Sequence, residues 1–211
     1  MAEGTQIARD VPGRKEEVAL SASVATQRAQ HAFDIAASRT AEGFGKANAP
    51  PPSELAGLSS MISEARRTAG PGGRANAGDI LDDYVAKNPD SRIARLNALA
   101  GGSTEWIISG SGKAVFSQWA FTAAFKQTLS GVKSGAVSLM TEISSNQEKD
   151  SGEIPLPKTL APPVAQLFVS ELDRQINGKG AKDPLPLDVK YANGAIECTS
   201  RLKGGTERVV F

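Results

Sequence analysis

Ser109-Gly110-Ser111-Gly112-Lys113 is the first stretch whose residue types and spacing could do chemistry, and that chemistry would be phosphate binding. A phosphate loop sets a glycine-rich turn between a strand and a helix, so that backbone amides and a lysine surround the anion. The pattern also requires a glycine five residues before Gly112, where Ile107 stands, and a hydroxyl after the lysine, where Ala114 stands. Both requirements fail and no clear strand precedes it. The segment reads as a loop opening a helix, whose free N-terminal amides can still hold an anion weakly.

His31 and Cys198 are each the sole residue of their type. A cysteine–histidine nucleophile needs the two side by side, with a third group orienting the imidazole. Here one falls on a helix near the start and the other on a strand near the end. Cys198 lies on the apolar side of that strand, where a small buried hydrophobe fits. One histidine and one cysteine also fall short of a four-ligand zinc site, and a single cysteine excludes an internal disulfide. Asp79, Asp82 and Asp83 cluster at a helix start, where the helix dipole accounts for them without a metal. No pair among the 23 carboxylates is singled out for acid–base work by its spacing. The sequence therefore leads us to expect no catalytic residue, no metal and no cofactor.

The basic groupings are Arg66-Arg67 with Arg74, Arg92 with Arg95, and Lys126 with Lys133. Lys126 and Lys133 stand two turns apart and share a helix face with Ser130 and Ser134. A solvated face is the plain reading. The sharper one is a narrow phosphate-tracking groove for nucleic acid, formed by Lys113, Lys126, Lys133, Arg92 and Arg95. With 24 basic against 23 acidic side chains the net charge is only +1, which argues against a histone-like or arginine-rich binder.

These residues must be held by the elements of a 211-residue chain that is 40% hydrophobic and 5% aromatic, so its core is built mainly of Ala, Leu, Val and Ile. No run approaches the roughly 18 apolar residues of a membrane span. Glu3 and Asp10 with no apolar stretch argue against a Sec-type signal. Between Arg14 and Gly43 there is neither Pro nor Gly, and Ala22, Ala25, Ala29, Ala32 and Ala36 recur at helical spacing. That predicts a long helix with a smooth alanine stripe suited to self-association. Pro50-Pro51-Pro52 and Gly70-Pro71-Gly72-Gly73 act as hinges, so residues 1–75 read as an attached arm of outer helices.

Residues 76–178 read as the helical core. Its centre is one long helix from about Ala114 to Ile143, with the stripe Phe121, Phe125, Leu129, Val132, Ala136, Leu139 and Ile143. Phe116, Trp119 and Ala120 widen the apolar face at its start, and Gly131 with Gly135 implies a close helix contact. Residues 145–161 read as a polar, Pro-rich connector, followed by an amphipathic helix carrying Val164, Leu167, Phe168, Leu172 and Ile176 inward. In 179–211 the period changes to alternation, and Asn193-Gly194 is a strong hairpin signal. A two-residue turn there sets Lys190 opposite Glu197 and Val189 opposite Cys198, and Gly204-Gly205 allows a second turn toward Phe211.

The expected fold is mainly α: a helical core, a hinged N-terminal helical arm and a small C-terminal antiparallel β-meander. Those parts suit a non-enzymatic self-assembling structural subunit, such as a viral coat or nucleocapsid protein, with the arm bridging neighbours. Its partners would be copies of itself and, through non-specific phosphate contacts, nucleic acid, in a reducing cytoplasm or a virion. The alternative is a secreted bacterial effector or secretion-apparatus component, exported without a Sec signal and binding a host or chaperone protein. An enzyme with a site of unfamiliar form is the third reading.

Overall fold

The computed structural model describes residues 12–73, 75–100, 108–109, 112–145, 151–178, 185 and 187–201. Seven helices and a three-stranded antiparallel sheet make up these described residues. The chain is mainly α with a small sheet toward its C-terminal side.

The alanine-striped segment forms α1, Pro12–Ala47, about 54 Å long at 1.5 Å per residue. It is not an outer arm. It packs against three later helices: α5 (Gln118–Thr128), α6 (Ser130–Ser144) and α7 (Pro162–Asn177). Ala29 and Ala36 are wholly enclosed, Ala25 and Ala32 are buried, and Ala22 is half-buried. The stripe proposed for self-association is thus a seam inside one chain. Small side chains let the later helices approach α1 closely, and Phe33 supplies the bulk that alanine lacks. Its ring meets Phe168 of α7 edge-on at 5.3 Å, and Phe168 in turn meets Phe125 of α5 at 6.4 Å. Such edge contacts add to the area these rings bury.

The proline hinge after α1 becomes the start of α2, Pro52–Ala69, with Pro52 in the first turn, where a missing N–H costs nothing. Two short helices follow, α3 (Ala77–Lys87) and α4 (Arg92–Leu99). Asn76 caps α3 by accepting from the Gly78 amide, and Ser91 caps α4 by accepting from the Ala94 amide. Glu54 of α2 ties the group together: its carboxylate accepts from the Ile93 amide, and its carbonyl accepts from the Tyr84 hydroxyl. Leu58, Ile62, Leu81, Tyr84, Ile93 and Leu96 join the same buried cluster as α1 and α5–α7. One continuous core therefore draws on 1–75, 76–178 and 179–211 alike.

The helix expected from Ala114 to Ile143 is two helices. Ser117 caps α5 through the Ala120 amide, and α5 and α6 meet at Leu129, whose amide still donates to the Phe125 carbonyl and whose carbonyl accepts from the Lys133 amide. Gly131 has nothing within 4 Å of where a side chain would begin, and Gly135 faces Ile154 of a strand. The pair is not a helix–helix seam within the chain.

The sheet has the order β1-β3-β2, with β1 Ser151–Pro155, β2 Leu187–Ala192 and β3 Ala195–Ser200. The hairpin forms as its turn chemistry requires. Asn193 and Gly194 both take positive φ, and the register sets Lys190 opposite Glu197 and Val189 opposite Cys198. The third strand is β1, which lies in the stretch read as a connector. Leu139 of α6 packs closely over its Gly152: a Cβ there would stand 2.6 Å from a Leu139 methyl, which would have to shift. The second turn at Gly204-Gly205 and the tail to Phe211 lie outside the described residues.

Candidate interaction site

The phosphate-loop stretch is a tight turn closed by its own hydrogen bonds. Ile108 bridges to Ala114, the Ser109 amide and hydroxyl both donate to the Lys113 carbonyl, and the Gly112 amide donates to the Ser109 carbonyl. The Ala114 amide donates to the Ser59 hydroxyl of α2, docking the turn there. Gly110 and Ser111 lie outside the described residues.

His31 and Cys198 are not brought together. His31 is exposed on α1, whereas Cys198 is fully buried in β3. Burial pushes the Cys198 thiol up to about 12, the opposite of what a nucleophile needs. Asp79 sits in the first turn of α3 and Asp83 pairs with Lys87 at 2.7 Å. Among the described residues no group of three or more His, Cys, Asp or Glu could hold a metal ion.

The five cations proposed to track phosphate are dispersed. Arg92 donates to the Ala49 carbonyl and Arg95 to the Asp90 carbonyl. Lys133 is held by both Asp34 oxygens, at 2.9 and 3.0 Å. Lys113 and Lys126 are exposed on the turn and on α5. Lys126 stands on α5 and Lys133 on α6, either side of the junction at Leu129. Of the other basic grouping, Arg74 lies outside the described residues.

Two grooves run along α1. Against α6, a groove of about 440 Å³ is lined by Gln30, Ser134, Val137, Ser138 and Glu142, with the Thr26 and Thr141 hydroxyls in contact at 2.7 Å. Against α7, a groove of about 400 Å³ is more apolar. Phe44, Ala47 and Leu167 line it, with Thr40, Arg39, Asn48 and Glu171. Glu171 anchors its rim. Burial raises that carboxyl, but hydrogen bonds from Arg174, Gln175 and Arg39 outweigh the burial and hold it below the usual carboxylate range. Thr40 is 6% exposed, and its hydroxyl has no hydrogen-bond partner among the described residues. A buried polar group of that kind is uncommon.

The most conspicuous surface feature is Trp119, 81% exposed at the start of α5, with Val115 nearby and also exposed. Sequence reading placed Trp119 on a widened buried face. The helix turns about 100° per residue, so Trp119 points some 200° away from Phe121, and Phe121 and Phe125 are the residues that enter the core. Their two-residue offset from Trp119 was the signal that could have found it. Among the described residues Leu167, which the periodicity of α7 placed inward, is the other large apolar side chain more than half exposed.

Compared with known proteins, the chain matches no family model, no curated protein and no solved structure.

Proposed function

We propose that this chain is a non-enzymatic structural subunit of the coat or nucleocapsid kind, which assembles with copies of itself through protein–protein contacts. The observation that carries this reading is Trp119, held almost fully in solvent on a helix whose start is capped by Ser117. A tryptophan side chain buries about 150–250 Å² when covered, and tryptophan is enriched among the residues that dominate binding energy. The contact is thus assigned to α5 and not to the alanine stripe, whose members serve the chain's own core. Nucleic-acid packaging is the weaker half of the reading, because Lys133, Arg92 and Arg95 have partners within the chain.

Sedimentation over a wide concentration range, with the ultraviolet absorbance ratio followed for bound nucleic acid, tests this. Mass rising with concentration is the expected result. A monomer at every concentration would overturn self-assembly and favour the exported, partner-binding alternative, which draws on the same tryptophan.

A further inference from the structure

The α1–α7 groove has apolar surface that the described residues leave open. Leu167 is more than half exposed there, and Phe44 is half-buried. On the rim, Arg39 is exposed and makes one hydrogen bond among the described residues, to Glu171. Glu171 also accepts from Arg174 and Gln175, so its charge stays matched when Arg39 turns to another carboxylate. Such a groove suits an extended segment with apolar side chains on one side and an acid near one end. This chain's own sequence holds one. Glu207, Val209 and Phe211 alternate with Arg208 and Val210, so an extended run puts the acid and two apolar side chains on the same side. The lengths agree. Arg201 donates to the Leu187 carbonyl, which also accepts from Asn177 at the end of α7, so the chain leaves the described residues beside that helix end. Glu171 lies about 9 Å back along α7, within the roughly 16 Å that residues 202–206 can span. From Arg39 to Ala47 along α1 is about 12 Å, and from Glu207 to Phe211 in extended chain is about 13 Å.

We propose that residues 207–211 lie back along the α1–α7 groove of their own chain, with Glu207 on Arg39 and with Val209 and Phe211 over Phe44 and Leu167. The covalent tether holds this segment at a high effective concentration beside the groove. The contact therefore needs far less buried area than an interface between free copies, which must also offset the entropy of association. It goes beyond the assembly reading and holds whether or not copies associate.

Hydrogen exchange of the full chain, read by mass spectrometry on peptides covering residues 206–211, tests this. In the wild type these amides should exchange at least about tenfold more slowly than in Leu167→Asp, and equally so at every protein concentration. Leu167 and Arg39 are exposed, so variants there should keep the wild-type circular dichroism spectrum, and Leu167→Ser stands in if Asp perturbs it. Arg39→Gln and Glu207→Gln should each lower the protection, and the double variant should lose no more than one of them alone. Additive losses overturn the Glu207–Arg39 contact. Unprotected amides in the wild type, or protection that survives at Leu167→Asp, overturn docking in this groove. Protection that fades on dilution overturns docking within the chain and gives the segment to a neighbouring copy.

Discussion

At the scale of single residues, burial decides chemistry. Cys198 faces the core from β3 opposite Val189, and its thiol is raised from 9.0 to about 12. It therefore stays protonated when native. The linkage has a definite sign: the contribution to stability is fully present below pH 9 and is lost as pH climbs toward 12, since only the unfolded chain gains the thiolate there. Native protein near pH 9 should resist iodoacetamide, while protein in urea should react promptly; equal rates in the two would refute the burial. Alternation along the strand made this side chain legible in the sequence, down to its cross-strand neighbour. Trp119 was not legible in the same way. An aromatic residue flanked by others reads as core, although the two-residue offset from Phe121 puts Trp119 about 200° away around the helix.

At the scale of elements, periodicity told which face of most helices is apolar; the hairpin follows from it directly, and so does α7 except for Leu167, read as inward and found on the solvent side. It could not say what covers a face. The alanine stripe of α1 is covered by α5, α6 and α7 of the same chain, a contact between segments far apart in sequence. Ala29→Leu accordingly acts on the fold itself: overpacking at a fully enclosed site costs about 1–3 kcal/mol. Urea denaturation of the monomer checks this, and an unchanged midpoint would show that the stripe is not packed as described. Strand β1 escaped notice for a related reason. Burial does alternate along Ser151–Pro155, but the inner positions are Gly152 and Ile154, so Ile154 alone marks that face in the sequence, and Pro155 is tolerated because β1 lies at the sheet edge.

At the scale of the whole molecule, α1 is the member that the three long later helices share. A chain lacking residues 12–47 loses Phe33 from the aromatic cluster and uncovers the inner faces of α5, α6 and α7. It should melt without a cooperative transition by calorimetry, whereas a dispensable arm would leave a sharp one. The sheet order carries a further consequence for biosynthesis. β3 lies between β1 and β2 yet follows both in the chain. As the polypeptide emerges from the ribosome, β1 and then β2 appear with no strand to join them. Each holds an unpaired edge until residues 195–200 arrive and fill the gap between them. That interval exposes nascent chains to pairing with one another instead of with themselves, and it ends only when β3 has left the ribosome and seated between its neighbours.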